Sequence, residues 1–306
     1  MTITLFENFR AVFYTPFYAA VALDAYGAEG IDVRLETSSD PETTANALLN
    51  GDADVSWGGP MRILYTHDKD PDCGLVGFAE VVTRDPFFII GREPRPEFRV
   101  QDLTHCRLAT VSEVPTPWLC LQDDLRRAGV NPDSIERVPS QTMAENEAAL
   151  REGSIDAIQV FQPYAEHLIR DGIGHIWYAA ASRGPCSYTT LYTTTEALRT
   201  KGDTIRTMAR ATYRTQKWLH EQTAATVAEC VADYFPDLEP DVLAACIARY
   251  KALGVYGSNP ILPRNGFERL REACISGGLI KHGAAYEDCV DTQAAQDAID
   301  ANPPAM

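Results

Sequence analysis

The stretch "DADVSWGGPMRI", residues 52–63, joins a short strand directly to the start of a helix. Residues 53–57 have the composition of a strand, and Gly58, Gly59 and Pro60 follow with no linker. Proline is favoured at the first helical position, because the N–H that it lacks would have no partner inside the helix. In an open parallel sheet, such a helix begins at the carboxyl edge, where ligands bind. The stretch therefore predicts an α/β fold with a ligand site beside Gly59.

Three other places show the same order of strand, small or polar residue, proline and helix. They are Tyr14-Thr15-Pro16, Pro115-Thr116-Pro117 and Phe161-Gln162-Pro163. We expect all four helix starts to face one cleft, with Thr15 and Thr116 as N-caps. Free N–H groups and the helix dipole favour an anionic or strongly accepting small molecule at such a place.

Strands and helices alternate along most of the chain, in two series. The first predicts strands at 3–8, 31–37, 53–57, 74–82 and 85–91, and helices at 16–30, 41–51 and 60–67. The second predicts strands at 107–112, 134–139, 156–161 and 175–180, and helices at 117–129, 143–153 and 163–172. The remaining pattern is helical, with candidates at 203–220, 223–234, 239–252 and 264–276.

This alternation predicts an α/β fold of two doubly wound lobes with a ligand cleft between them. A first crossing is expected near Gly91 and a second near residues 188–192, and these serve as the hinges of lobe closure. Residues 1–91 and 189–306 would form lobe 1, which carries the extra C-terminal helices, and residues 92–188 would form lobe 2.

The candidate ligand-binding residues lie at strand ends and helix starts. Aromatic rings there could stack on a ring compound, the Arg62 fork suits a carboxylate or sulfonate, and amide or carboxylate groups could bind a polar ligand edge. The predicted set is Tyr14, Thr15, Trp57, Gly58, Gly59, Arg62, Asp85, Ser112, Glu113, Thr116, Gln162, Cys186 and Tyr188.

Composition narrows the class of protein. The 306 residues are 45% hydrophobic and carry a net charge of −16, which makes nucleic acid an unfavourable partner. No apolar run reaches the roughly 18 residues of a membrane span. The eight cysteines and six histidines show no metal-ligand or disulfide spacing, so we expect reduced thiols, no metal and no cofactor.

The first ten residues, "MTITLFENFR", lack the basic and long apolar segments of a secretion signal. We therefore expect a cytoplasmic protein, with a periplasmic one as the alternative if a signal has been removed.

Five stretches of the chain carry a family pattern: "TPFYAAVALDAYGAEGIDVRLE", "LLNGDADVSWGGP", "VVTRDPFFIIG", "LREGSIDAIQVFQPY" and "YTTLYTTTEAL". In them the chain resembles the type II periplasmic-binding-protein superfamily. Within it, the chain is similar to the nitrate, taurine and aliphatic-sulfonate binding proteins of ABC transporters and to thiamine-pyrimidine-precursor proteins. The resemblance implies a small-molecule ligand, an ABC permease as candidate partner, and closure of the two lobes on the ligand.

One branch of that group is an enzyme, the fungal pyrimidine synthase, which uses pyridoxal phosphate, its own histidine and iron. The resemblance implies a lysine and a histidine four residues apart, and those positions hold Gly58 and Arg62 here. A Schiff base needs a lysine amine, which Gly58 does not supply. No other catalytic motif is present, so no catalytic residue is assigned.

Two functional hypotheses follow. The first is a solute-binding protein of ABC-transporter type for a small organic anion or ring compound, such as a sulfonate, carboxylate or pyrimidine-like molecule. The alternative is a cytoplasmic enzyme on the same scaffold, either thiamine-pyrimidine-synthase-like or a lyase of aromatic acids. Whether the chain has any catalytic activity stays open at this point, with binding favoured.

Overall fold

The computed structural model describes residues 2–38 and 40–306. The strands in this part of the chain are β1 (Thr2–Glu7), β2 (Asp32–Thr37), β3 (Val55–Gly58), β4 (Leu75–Val82), β5 (Phe88–Gly91), β6 (Arg107–Val111), β7 (Glu136–Gln141), β8 (Ala157–Val160), β9 (His175–Ala179) and β10 (Thr189–Thr194). The α-helices are α1 (Thr15–Ala22), α2 (Pro41–Asn50), α3 (Pro60–Lys69), α4 (Thr116–Arg127), α5 (Met143–Glu152), α6 (Tyr164–Arg170), α7 (Thr195–Glu221), α8 (Ala224–Val231), α9 (Pro240–Ala252), α10 (Arg264–Ser276), α11 (Tyr286–Cys289) and α12 (Gln293–Ala301).

The strands form two five-stranded sheets, which confirms the predicted α/β class with two lobes. The first sheet has the order β2-β1-β3-β10-β4, and the second has the order β7-β6-β8-β5-β9. In each sheet one strand runs antiparallel to its neighbours, β10 in the first and β5 in the second. Each of these strands is the first that the chain forms after it crosses from the other sheet.

The first crossing lies earlier than the sequence indicated. Residues 88–91 pair with β8 and β9 in the second sheet, whereas the prediction assigned them to lobe 1. The chain therefore crosses at residues 83–87 instead of near Gly91, and we propose that lobe 2 begins at Phe88. The second crossing occupies residues 180–188, because β10 begins at Thr189.

Apolar side chains cover the first sheet on both faces. One cluster joins Leu5, Trp57 and Val81 to α1, α7 and α8, and the other joins Leu75 and Tyr192 to α2, α3 and α10. Strands buried on both faces are typical of sheets enclosed by helices. Both faces of this sheet are therefore closed by helices, so a ligand site has to lie at an end of the strands.

The C-terminal helices extend lobe 1 and also reach lobe 2. Helix α10 packs against α3 of lobe 1 and α4 of lobe 2, and α9 packs against α8 and α6. Across the second contact, Arg249 pairs with Glu166 and Arg170 pairs with Asp241. The Tyr250 hydroxyl accepts a hydrogen bond from the Gln162 N–H at 2.9 Å. The late helices thus connect the two lobes at both flanks of the cleft.

Candidate functional site

The cleft between the lobes holds two adjoining cavities. The inner pocket has a volume of about 50 Å³, and the outer cavity has a volume of about 510 Å³. Asn8, Phe9, Val114 and Phe161 line both of them, so these four residues mark the boundary between the two spaces. Because both lobes supply walls, a molecule that fills the cleft would contact both lobes at once.

Helix starts from both lobes meet at the inner pocket. Gly59 and Arg62 come from the start of α3 in lobe 1, and Thr116 begins α4 in lobe 2. A Cβ atom on Gly59 would lie 3.3 Å from the Tyr188 carbonyl oxygen, so only glycine leaves this contact unstrained. The two helix dipoles, one from each lobe, add partial positive charge to the pocket.

Arg62 is the one charged residue among those described that line the inner pocket. Its Nε atom is buried without a hydrogen-bond partner, and no ion pair with Arg62 occurs in the described residues. The guanidinium lies over the Tyr65 ring, with Cζ at 5.2 Å from the ring centre. A planar fork of donors with no protein partner is suited to bidentate binding of a carboxylate or sulfonate.

Tyr188 presents a hydroxyl at the same pocket. The residue is 7% exposed, and its OH group has no partner in the described residues. Burial raises the pKa of Tyr188 far above its ordinary value, and burial raises that of Tyr14 too. Both phenols are therefore neutral at physiological pH, and the Tyr188 O–H remains a donor for an anion.

Aromatic rings form the remaining wall of the inner pocket. Phe13 meets Phe161 edge-on at 5.3 Å and Tyr188 at 6.0 Å. Phe87, from the first crossing, meets Phe161 at 5.2 Å. These contacts join lobe 1, the crossing and lobe 2 in one apolar wall of the pocket. A low local dielectric strengthens the attraction between the guanidinium and an anion.

The outer cavity lies towards solvent and receives walls from both lobes and from the segment 234–238 that follows α8. Gln162, which is fully buried, borders it. The Gln162 Oε1 accepts from the Glu166 N–H at 2.9 Å, while its Nε2 has no partner in the described residues. Glu113 also borders the cavity, and its carboxylate accepts from the Met143 N–H at 2.8 Å.

The structure brings together seven of the predicted ligand residues. Those at the inner pocket are Tyr14, Gly59, Arg62, Thr116 and Tyr188, and those at the outer cavity are Glu113 and Gln162. Their role in ligand binding stays a prediction. The N-caps differ from those expected: Tyr14 and Pro115 precede the two helices, and Thr15 and Thr116 are the first helical residues.

Six predicted residues do not border either cavity. Thr15 is buried and donates to the Val12 carbonyl at 2.7 Å. Trp57 is buried and stacks on Phe17 at 4.8 Å. A Cβ atom on Gly58 would lie 2.8 Å from Asn8 Nδ2, so this glycine permits close packing against the Asn8 side chain.

The other three residues have structural partners or a different position. Asp85 is buried and forms an ion pair with Arg183. Ser112 is exposed outside the cleft, with its N–H donated to the Gln141 carbonyl. Cys186 is buried with its sulfur 3.8 Å from that of Cys120. These contacts occur between residues far apart in sequence, which the local pattern does not reveal.

Some residues that line the cavities were not predicted. Asn8 and Phe9 follow β1 at the edge where β3 also ends, and the rule that ligands bind at carboxyl edges would have indicated them. The segment 234–238 lies beyond both α/β series, and no sequence signal connects it with the cleft.

Among the described residues, no helix combines the length and the apolar character that crossing a membrane takes. Within the same residues, no group of three or more His, Cys, Asp or Glu side chains is arranged to hold a metal ion.

A comparison with protein families identifies the group to which the chain belongs. The NMT1/THI5-like family model matches residues 12–225, which include strands of both sheets and the starts of α3, α4 and α6. The chain belongs to the NMT1/THI5-like family. The resemblance to the superfamily that contains the thiamine-pyrimidine and sulfonate proteins is thereby confirmed.

Individual relatives of this NMT1/THI5-like chain are named as binding proteins. "Putative binding protein YtlA" of Bacillus subtilis (strain 168) is 25% identical over 292 residues, covering 95% of this chain and 87% of that protein. The periplasmic aliphatic sulphonate binding protein SsuA from Escherichia coli shares the fold with a TM-score of 0.75 and 15% identity, covering 94% of this chain and 96% of that one. The alkanesulfonate-binding protein SsuA from Xanthomonas axonopodis pv. citri, bound to MOPS, shares the fold with a TM-score of 0.72 and 15% identity. The match covers 95% of this chain and 98% of that one.

Proposed function

We propose that this chain is a solute-binding protein of ABC-transporter type that closes two lobes on a small organic anion. The carrying observation is the partnerless guanidinium of Arg62, which faces a pocket between the lobes at the starts of α3 and α4. A half-buried cation without a protein counter-ion has an unfavourable environment until an anion binds beside it. The relatives named as binding proteins support the same role.

Closure is the mechanism that the two crossings permit. Residues 83–87 and 180–188 are the two places where the chain passes between the sheets, so rotation there moves one lobe against the other. The anion contacts Arg62 on lobe 1 and the start of α4 on lobe 2 only when both lobes are close. Its binding energy therefore favours the closed state over the open one.

An ABC permease is the proposed partner, since the ligand-binding components of import systems share this fold. That partner requires the protein to act outside the cytoplasmic membrane, which is the alternative location given above. The enzyme hypothesis is less favoured, because the named relative and the sulfonate-binding neighbours are binding proteins.

Calorimetric titration with sulfonates, carboxylates and nitrate tests the proposal. We expect at least one organic anion to bind, to be recovered unaltered, and to raise the unfolding temperature by several degrees at saturating concentration. Conversion of the anion into a product would favour the enzyme hypothesis instead.

Arg62→Ala identifies the anion contact. Hydrogen bonds to charged groups contribute roughly 1.5–3 kcal/mol, so we expect affinity to fall by about tenfold or more. Arg62→Lys keeps the positive charge but lacks the planar fork of donors, so its affinity should lie between those of the unmodified protein and Arg62→Ala. Arg34→Ala is the matched control, because Arg34 lies on the outer strand β2 with its side chain 67% exposed. Equal affinity in the Arg62→Ala variant and the control would remove the basis of the proposed site.

A further inference from the structure

We infer that the ligand is an aromatic monoanion, with its acid group in the inner pocket and its ring in the outer cavity. This inference rests on the proposed function and narrows it to a substrate class. Its basis is the difference in size, lining and charge between the two adjoining cavities.

The inner pocket admits only a compact group. Its volume of about 50 Å³ is about a third of the roughly 150 Å³ of an apolar cavity that binds benzene. The inner pocket is therefore too small for an aromatic ring and suits a compact carboxylate or sulfonate group. The outer cavity, at about 510 Å³, lies within the range of about 300–1,000 Å³ that is typical of sites for larger organic ligands. A ligand with only an acid group would leave this second space empty.

The outer cavity has a largely apolar lining, in which aromatic rings lie beside aliphatic side chains. Five rings from three parts of the chain border it: Phe9, Phe161, Tyr164, Tyr234 and Phe235. Rings attract one another in offset and edge-on geometries with more energy than area burial alone supplies. An aromatic body therefore gains more from this wall than an alkyl chain of equal area. The partnerless amide N–H of the buried Gln162 supplies a donor at the same wall.

Charge reverses from the inner pocket to the outer rim. Arg62 makes the inner pocket positive, whereas the carboxylates of Glu113 and Asp237 border the outer cavity. Arg10 is also present there, but it forms an ion pair with Glu7, and that pair has no net charge. A second anionic group at the outer end would face carboxylates. The rim thus disfavours dianions and fixes the direction in which a monoanion enters.

Four matched probes test the inference by calorimetric titration. 2-Naphthalenesulfonate carries the acid group with a ring, and methanesulfonate carries the acid group alone. 2-Naphthol has the ring alone, and 2,6-naphthalenedisulfonate has the ring with a second acid group. We expect 2-naphthalenesulfonate to bind most tightly. Burial of the ring should make it roughly tenfold to a hundredfold tighter than methanesulfonate.

The disulfonate should bind about fivefold more weakly than the monosulfonate, as expected for exposed like charges. The double variant Glu113→Gln/Asp237→Asn should reduce that difference. An unchanged difference in the double variant, or a disulfonate that binds more tightly than the monosulfonate, contradicts the assigned direction.

Tyr164→Ala separates the ring contact from the acid contact. Tyr164 is half-buried and borders only the outer cavity. We expect its removal to weaken 2-naphthalenesulfonate by about threefold to tenfold and to leave methanesulfonate unchanged. Tyr213→Ala, a half-buried tyrosine on α7 that borders neither cavity, is the control.

The outcomes distinguish the two proposals. If methanesulfonate binds as tightly as 2-naphthalenesulfonate and Arg62→Ala weakens both, the aromatic class is wrong and the anion site stands. If 2-naphthol binds as tightly as the sulfonate, the acid group contributes nothing and the anion site itself is wrong. If none of the four probes binds but another organic anion binds in an Arg62-dependent way, the aromatic class is wrong and the anion site stands. If no organic anion binds at all, both proposals are overturned.

Discussion

Glu80 shows how one buried side chain makes stability depend on pH. It is 2% exposed within β4. Burial raises its pKa from 4.5 to about 8, and the hydroxyl groups of Ser187 and Thr83 offset only part of that rise. At neutral pH the folded protein therefore keeps this carboxyl protonated, while the unfolded chain ionises it.

The sign of the resulting pH dependence follows from proton binding. Between about pH 4.5 and pH 8 the folded state holds a proton that the unfolded state releases. The free energy of unfolding should thus fall as the pH rises through this window, by at most about 1.4 kcal/mol per pH unit from this group. Glu80→Gln should remove that slope in urea denaturation, whereas Glu97→Gln, at an exposed position, should not. A slope that persists in Glu80→Gln would assign it to other groups.

Single residues also show the limit of sequence-based site prediction. Gly59 and Arg62 line the inner pocket, a position that the sequence indicates because their relation to the strand end and the helix start is local. Their contact with a ligand stays a prediction. Asp85 was predicted as a ligand contact, but Arg183 pairs with it from 98 positions further along the chain. A carboxylate in a loop has the same local sequence whether its counter-ion is a ligand or a distant arginine.

Among the elements, β5 contains a glycine that serves packing. A Cβ atom on Gly91 would lie 2.0 Å from ring atoms of Trp177 on the neighbouring strand β9. Trp177 is held there by a 2.7 Å hydrogen bond from its Nε1 to the Glu93 carbonyl, and it stacks on Phe98 at 5.3 Å. The sequence indicated a crossing near Gly91. In the structure, Gly91 lies within β5, and its lack of a side chain leaves room for the Trp177 indole.

Gly91→Ala should displace the indole and destabilise lobe 2. Overpacking of this kind typically costs about 1–3 kcal/mol. We expect a lower free energy of unfolding together with a changed tryptophan signal in near-UV circular dichroism. Gly202→Ala in α7 is the control, since a Cβ atom there comes no closer than 3.4 Å to another side chain. No change in either measurement would contradict the close contact.

The alternating elements were predicted well, and the errors have identifiable causes. The first helix ends at Ala22, short of the predicted residue 30, because Asp24 adopts a left-handed conformation with φ of 52°. Strand β10 was missed, since both of its partner strands lie more than a hundred residues earlier in the chain. Helix α12 was missed too, and its packing partner is the distant α7.

Across the whole molecule, one buried ion cluster connects the crossings and the lobes. Asp85 lies in the first crossing and Arg183 in the second, and they form an ion pair. Arg183 also pairs with Asp124 on α4 at 2.5 Å, and Arg269 on α10 reaches the same carboxylate at 3.1 Å. Both connections between the sheets are thus held to each other and to helices of both lobes.

The two arginines of this cluster are buried to different degrees, so their substitution should lower the free energy of unfolding by different amounts. Arg183 has a side chain 2% exposed, and Arg183→Met would leave two buried carboxylates without their main partner. We expect a loss of about 3–5 kcal/mol in the free energy of unfolding. Arg269 is 25% exposed, and Arg269→Met should cost about 1 kcal/mol or less. Equal losses in urea denaturation would show that burial does not decide the contribution.

The strand order also constrains how the chain folds while the ribosome is still making it. Strands of the second sheet are continuous from residue 88 to 179, so that sheet can pair fully as soon as they emerge. In the first sheet, the one strand among the described residues that pairs with β4 is β10, which ends at Thr194. The early strands β3 and β4 therefore leave the exit tunnel with exposed edges. The later lobe is complete before the earlier one, and nascent lobe 1 is the part that a chaperone would need to protect.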